Sequence, residues 1–190
     1  MMRVVAGLDL AASTRRCSGY AVIVIKRNNS FLIKMKCLSS DESIVSEVLE
    51  DEVHVIAIDA PLIRDPRMRH VDKLMIKQGL KVFPPNFGWM RNLSIRGWRI
   101  ASKLESLGIK VIETHPRSAL VRAGVNSSKK LLKLLGIKVD VEGFTEKIMH
   151  RDLNDSVIAA VVAYCYIKEC CDVIKADDGS IYVLKKLQPT

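Results

Sequence analysis

The chain has 190 residues, of which 48% are hydrophobic and 27% are charged, and its net charge is +9. This composition argues against disorder, and the length suits one domain with a substantial core, which we expect to span residues 1–190. No apolar run approaches the ~20 residues of a membrane-spanning helix, and the start "MMRVVAGLDL" is unlike a signal peptide, so we expect a soluble, cytoplasmic protein.

The first third of the chain predicts a three-stranded antiparallel meander, a helix and a further strand. The meander is indicated by apolar runs separated by short polar turns, and Pro61 ends the fourth run. The strands are predicted at residues 4–10, 20–25, 31–38 and 53–59, with the helix at 39–50. A strand that follows a helix in this way is expected to lie parallel to the first strand.

The remainder alternates helical spacing with two apolar strand patterns. Helices are predicted at residues 69–79, 93–108, 116–123, 127–135 and 152–171, with strands at 109–114 and 179–187. Residues 81–90 cannot be helical, because Pro84 and Pro85 remove backbone donors. This order predicts an α/β fold with a mixed five-stranded sheet, a meander followed by parallel strands, flanked by helices; residues 179–187 are a candidate closing strand.

Acidic residues lie in two of the apolar runs. Asp9 lies within "VVAGLDLAAS" with apolar residues on both sides, and Asp59 ends the apolar run in "VHVIAIDAPL", although an unpaired ionised carboxylate is costly to bury. Asp152 and Asp155 begin the last helix at i, i+3, on one face. If the first and fourth strands are neighbours, these acids converge, and an oxygen-only set favours Mg²⁺ or Mn²⁺. The alternatives are a helix cap at Asp152 or Asp155 and a turn residue at Asp59.

Two interpretations are open for "VIETHPR", which closes the fifth predicted strand. In one, Glu113 reaches the acidic group and His115 moves protons near neutral pH. In the other, Glu113 pairs with Arg117 and His115 caps the helix that follows.

Positive charge is concentrated in the middle of the chain. Residues 64–103 carry a net charge of +8 and residues 114–138 carry +6, so the remaining residues carry −5. Such a concentration favours a surface that meets nucleic acid, the alternative being a solvated basic surface.

Aromatic residues are interleaved with arginines in "FPPNFGWMRNLSIRGW". Exposed rings here would stack on unpaired bases while arginines bind phosphates; the alternative is that the rings hold an irregular loop on the core, which we expect for Trp98. Arg15, in the turn after the first strand, either binds a phosphate or is simply solvated. The predicted nucleic-acid contacts are Arg15, Arg91, Arg96, Arg99, Arg117, Phe87 and Trp89.

The five cysteines do not predict a disulfide framework, because their number is odd. They form no C-x-x-C pair and lie near no histidine at zinc-site spacing. We expect them to be free thiols that pack as small hydrophobic side chains.

The ordered motifs "GLDLAASTRRCSGYAVI", "VIAIDAPL", "VFPP", "RG", "VIETHPRSA" and "DLNDSVIAAVVAY" resemble domain-of-unknown-function family 429. Members of that family are regarded as predicted nucleases with the ribonuclease H fold, and the resemblance covers nearly the whole chain. The first and last motifs are also similar to the bacterial Holliday-junction resolvase, which has an acid in its first strand, one in its fourth and a D-x-x-D-A helix start.

By this resemblance Asp9, Asp59, Asp152 and Asp155 match the metal-binding acids of the resolvase. Two positions depart from its pattern: the resolvase typically has Glu where this chain has Asp59, and Ser156 replaces the Ala of D-x-x-D-A. A shorter carboxylate would shift the metal spacing. The resemblance further implies a ribonuclease H-like fold and a possible homodimer.

The leading functional hypothesis is a metal-dependent nuclease acting on DNA or RNA. Asp9, Asp59 and Asp155 are its predicted metal ligands, with Asp152 in support and Glu113 as a further catalytic candidate. The alternative is a catalytically silent nucleic-acid-binding module of the same fold. A phosphotransferase of the sugar-kinase type is disfavoured, because the chain is short and has neither G-x-G-x-x-G nor a P-loop.

Overall fold

The computed structural model describes residues 2–142, 144 and 150–187. Its centre is a mixed sheet in the order β6-β3-β2-β1-β4-β5-β8-β7. The strands are β1 (Arg3–Asp9), β2 (Ser18–Ile25), β3 (Ser30–Leu38), β4 (Val55–Asp59), β5 (Lys110–Thr114), β6 (Ile137–Val139), β7 (Cys171–Ala176) and β8 (Gly179–Leu184). The helices are α1 (Asp41–Glu50), α2 (His70–Lys77), α3 (Trp89–Ser106), α4 (Pro116–Ala123), α5 (Ser128–Leu134) and α6 (Arg151–Ile167).

The predicted α/β architecture is confirmed, including the antiparallel meander β1–β2–β3 and the parallel pairing of β4 with β1 and of β5 with β4. The strand count was too low, because the described sheet has eight strands rather than five. Strand β6 has only three residues, too few for a periodic signal. Strand β7 begins at Cys171, which the sequence placed in the last helix; that helix ends at Ile167, and Glu169 with φ +58° turns the chain out of it.

The two faces of the sheet carry separate cores. Side chains alternate between faces along a strand, so Val5 packs with Ala57 on one face while Leu8 packs with Ile58 on the other. Helices α4, α5 and α6 cover the first face, and α1 and α3 cover the second. Among the described residues, no helix combines the length and apolar character that crossing a bilayer requires.

Helix α6 packs directly on β1, β2 and β4. Ten of its residues are buried, as its nearly continuous apolar sequence predicts. Two glycines allow this approach, since a Cβ on Gly7 would overlap the backbone of Ser156 and Ala160, and one on Gly19 would overlap the backbone of Asp152. The first turn of α6 is therefore held against the ends of β1 and β2.

Four of the five cysteines are paired, so the prediction of free thiols was wrong for them. Cys17 is bonded to Cys37, because the β2–β3 register that aligns Gly19 with Cys37 brings the two together. Cys165 is bonded to Cys170 across the turn that ends α6. Cys171 is a free thiol.

Candidate metal centre and nucleic-acid cleft

Two aspartates lie side by side where β1 and β4 end. Asp9 is the register partner of Asp59 in the parallel β1–β4 pair. By the alternation of side chains, Asp9 shares the face of Val5, and Asp59 shares that of Ala57, which is the face covered by α6. Both carboxylates thus point toward the first turn of that helix.

The first turn of α6 adds two more acids to this edge of the sheet. Asp152 and Asp155 line the same cleft as Asp9 and Asp59. Each lies near one basic side chain: His150 Nδ1 is 3.4 Å from Asp152, and Arg151 Nε is 3.6 Å from Asp155. The structure therefore brings the four predicted acids to one place.

Burial, and after it repulsion between neighbouring carboxylates, raises the pKa values of Asp9, Asp59 and Asp155. Burial, reinforced by the charges of Asp155 and Asp152, raises the pKa of Asp9 to about 7, and the pull of Arg151 and Arg16 does not offset this. Burial, followed by the charges of Asp9 and Asp155, raises the pKa of Asp59 well above its usual range. The pKa of Asp155 is raised mainly by burial. This group needs protons or an added cation to be stable.

The oxygen-only donor set suits a hard divalent cation such as Mg²⁺ or Mn²⁺. No three of these carboxylates have oxygens that all lie within 4.8 Å of one another. Within the described part of the chain, only His70, Asp177 and Asp178 have ligand atoms placed this closely. That exposed trio has a structural explanation, since Asp178 accepts hydrogen bonds from the His70 and Val71 amides at 2.6 and 3.2 Å and so caps α2.

Glu113 has a different environment from the four aspartates. Its neighbour Ile112 packs in the core under α6, so Glu113 points to the opposite face of the sheet. There it accepts two hydrogen bonds from Arg69, at 2.8 and 2.6 Å, and one from the Leu62 amide at 2.9 Å. Neither sequence interpretation describes this arrangement: the partner is Arg69 rather than Arg117, and both oxygens are occupied.

Arg69 is a neighbour of the candidate metal centre that was not predicted from the sequence. Only 3% of it is exposed, and it also binds Asp72 through Nε at 3.0 Å and Nη2 at 2.7 Å. The three groups form a buried ion-pair cluster beside the aspartates, in the same cleft. The only sequence signal was the local spacing of Arg69 and Asp72 at the start of α2.

His115 does not match its predicted role in proton transfer near neutral pH. Burial, together with the charge of Arg117, lowers its pKa to about 4, so the ring is neutral at pH 7. Its Nδ1 lies 2.7 Å from Ser118 Oγ in the first turn of α4. His115 is also the N-cap residue of that helix, but its side chain bonds no backbone amide there.

The cleft above these groups has a volume of about 510 Å³. Acids form one part of its lining, while Arg16 and Arg151 contribute positive charge, and Phe83 and Trp89 contribute aromatic rings. The arginines were not predicted, although Arg16 directly follows the predicted Arg15. A cleft with this lining can hold a cation and an anionic, ring-bearing ligand together.

The other predicted nucleic-acid residues are distributed over the surface. Arg15, Arg91 and Arg117 are exposed, and Phe87 is 64% exposed. Arg99 is exposed too, but it lines a separate groove between α1 and α3. Trp98 is partly buried under the guanidinium of Arg64, at 5.4 Å from the ring centroid.

Arg96 is placed differently from the prediction, because it is buried and fully bonded within the protein. It is 7% exposed, and its guanidinium donates to the Asp41 carboxylate at 2.7 Å and to the carbonyls of Ala11 and Ser39 at 2.6 and 2.8 Å. These bonds fix the turn after β1 to the start of α1. As placed, Arg96 supports the cleft and does not present its charge to a phosphate.

No protein-family model matches the chain, and no curated protein matches it in sequence. Membership of family 429 is therefore not confirmed. Two solved structures are similar in fold, both of Thermus thermophilus RuvC at 12% identity. RuvC in complex with a Holliday junction substrate has a TM-score of 0.53 over 88% of this chain and 96% of the other. The second RuvC structure has a TM-score of 0.54 over 87% and 96%.

A third match, the human cytomegalovirus terminase nuclease domain, soaked with Mn and inhibitor-bound, has a TM-score of 0.36 at 13% identity over 87% of this chain and 82% of the other. The RuvC matches show the fold: this chain has a ribonuclease H-like α/β architecture.

Proposed function

We propose that this protein is a metal-dependent nuclease that cleaves phosphodiester bonds in DNA or RNA. One observation carries the proposal: Asp9 and Asp59 are register partners at the ends of neighbouring parallel strands, where burial and then the charges of the other acids raise the pKa of both. Burying several carboxylates without a counter-charge lowers the stability of the folded protein, and a bound cation would compensate for this cost. The likeness in fold to RuvC adds support.

Asp9, Asp59 and Asp155 are the proposed metal ligands, and Asp152 supports them from the same helical turn. Bound Mg²⁺ or Mn²⁺ would supply an activated water and stabilise charge on the leaving oxygen. The chain's own contributions are positional. Gly7 and Gly19 let α6 carry its acids to the strand ends, and the cleft arginines hold the nucleic-acid backbone.

The decisive experiment measures cleavage of single-stranded, duplex, branched and hybrid substrates in Mn²⁺ by purified protein. Asp9→Asn removes a ligand charge with little change in shape, and we expect it to lower the rate by at least about 100-fold. The matched control is Asp177→Asn, which alters the exposed trio at the start of α2 and is expected to retain wild-type cleavage.

Equal cleavage by wild type and Asp9→Asn would contradict the proposal and indicate a contaminating nuclease. Salt-dependent binding of nucleic acid with no cleavage of any substrate would instead favour a silent binding module.

A further inference from the structure

The segment before α3 exposes an unusual number of aromatic rings. The chain has six Phe and Trp residues, and three of them lie within seven positions here: Phe83 is 63% exposed, Phe87 64% and Trp89 55%. The exposed rings of Phe83 and Trp89 line the cleft that also contains Asp9 and Asp59, whereas Phe87 does not line it. Large rings clustered at a cleft require an explanation that an isolated exposed ring does not.

The backbone holds these rings outward. Pro84 and Pro85 restrict the chain, the Phe87 amide donates to the Pro84 carbonyl at 3.0 Å, and Gly88 adopts φ +49° at the start of α3. The neighbouring Met90 is buried and anchors the segment to the core. The prolines and the buried Met90 restrict the segment that presents the rings, so a ligand that contacts them orders less of the chain on binding.

The geometry of the two cleft rings indicates what they can contact. The centroids of Phe83 and Trp89 lie 6.3 Å apart with their planes tilted by 60°. Because the planes are not parallel, a flat ligand cannot be sandwiched between them, but an outer ring face remains available for stacking. A nucleobase is such a flat ligand, and stacking on aromatic side chains is tolerant of base identity.

Charges near the rings suit a phosphate backbone. Arg16 and Arg151 line the same cleft, and Arg91 is exposed two residues after Trp89. In a duplex the base faces are covered by neighbouring bases, so only an unpaired base can use the rings while its phosphates reach the arginines.

We propose that the cleft binds a single-stranded segment of nucleic acid, with an unpaired base stacked on Trp89 or Phe83 beside the phosphate to be cleaved. This inference deepens the nuclease proposal and depends on it for the nature of the reaction. It selects single strands, or the unpaired part of a larger structure, over continuous duplex. The stacking itself requires no metal.

The test measures binding in EDTA, where no cleavage takes place. Trp98→Phe leaves Trp89 as the only tryptophan, so its fluorescence reports contacts at the cleft. Titration with a single-stranded oligonucleotide is expected to quench this fluorescence, and an equal-length duplex is expected to quench it weakly. Anisotropy of a labelled oligonucleotide then gives the affinity of each variant.

Trp89→Ala and Phe83→Ala are each expected to weaken single-strand binding by about 5- to 100-fold, with little effect on duplex binding. Trp89→Phe keeps an aromatic face and should restore most of the affinity. Val121→Ala, at a 62% exposed apolar residue of α4 outside the cleft, is the matched control and should bind as wild type. Thermal unfolding shows whether each variant is folded.

The outcomes separate this inference from the nuclease proposal. Cleavage that depends on Asp9, with single-strand affinity unchanged in folded Trp89→Ala and in folded Phe83→Ala, would overturn the stacking inference alone. Trp89-dependent single-strand binding without Mn²⁺-dependent cleavage would support stacking and contradict the nuclease. Absence of nucleic-acid binding would overturn both, leaving the rings as a contact for another kind of partner.

Discussion

The two ends of the cleft differ in the counter-charge that their buried acids receive, although burial raises the pKa of acids at both ends. At one end Asp9 and Asp59 face Asp155, and the pKa of each is raised by burial and by its acidic neighbours. At the other end Glu113 and Asp72 share the buried guanidinium of Arg69 at 2.6–3.0 Å.

The comparison shows how the same residue type serves two purposes. Acids with a built-in counter-charge complete the protein's own structure, and breaking such a pair is costly. Acids without one are stable only as protonated groups or with a cation from solution. Functional assignment of an acidic cleft therefore depends on which acids a buried cation contacts. Here the buried cation Arg69 contacts Glu113 and Asp72.

The largest expected effect on stability comes from removing Arg69, the counter-charge of Glu113 and Asp72. Arg69→Met leaves Glu113 and Asp72 buried without a counter-charge, so we expect the free energy of unfolding in urea to fall by about 3–5 kcal/mol. Arg67→Met is the matched control, because Arg67 is exposed and lies 3.6 Å from exposed Asp65. It should change stability by less than about 1 kcal/mol. Equal effects of the two variants would contradict the distinction between the two ends.

Adding a divalent cation should stabilise the folded protein by binding to the aspartates at the other end of the cleft. Mn²⁺ at about 100 times its Kd is expected to raise the free energy of unfolding by about 2.7 kcal/mol, measured by thermal or urea unfolding. Asp9→Asn should lose most of this gain, while Asp177→Asn should keep it. The opposite pattern would place the ion at the exposed trio of α2 and refute the proposed metal centre.

The pH dependence of stability in EDTA offers a smaller effect. The pKa of Asp9 is about 7 in the folded protein against an ordinary value of 3.8, so the folded state retains a proton that the unfolded chain releases. Stability from this group is complete below about pH 4 and is lost as the pH rises through 7, with a loss on the order of 2 kcal/mol between pH 5 and pH 7. The contribution of Asp9 is measured as the difference in unfolding free energy between wild type and Asp9→Asn at each pH. If that difference does not change with pH, the raised pKa of Asp9 is refuted.

The smallest effect concerns Arg151, whose charge lowers the pKa of Asp9. Arg151→Gln should raise the pH midpoint of Mn²⁺ binding, because deprotonation of the acids becomes harder. The shift should be about 0.5 pH units or less, since the side chain is 86% exposed and its charge is screened. A downward shift, measured by calorimetry at several pH values, would show that the charge acts elsewhere.

Much of the acidic centre could be predicted from the sequence. Asp9 and Asp59 interrupt apolar runs, and helical spacing places Asp152 and Asp155 on one face, so local patterns were sufficient to locate them. Strand pairing then followed from the order of elements. The strand beginning at Cys171 was not predicted, because the predicted last helix was extended to Cys171, beyond the end of α6 at Ile167.

Glu113 shows where local patterns were insufficient. Its strand does lie beside β4, as considered, but it aligns with Ile58 rather than Asp59. One position of register sends the side chain to the opposite face of the sheet, where Arg69 binds it from 44 residues away along the chain. The exposure of Arg96 was misjudged for a similar reason, because its acceptors Ala11 and Ser39 are remote in sequence.

By itself the sequence determined the order of the elements and the residues that carry negative charge into the core, because apolar periodicity and chain direction are local properties. Only the tertiary structure decided which acid obtains a counter-charge and which does not, because that depends on register, on the pleat of the sheet and on side chains that are distant along the chain. The aromatic rings of Phe83 and Trp89 depend on sequence and tertiary structure alike: their clustering is visible in the sequence, but their position in the cleft that contains Asp9 results from how α3 packs.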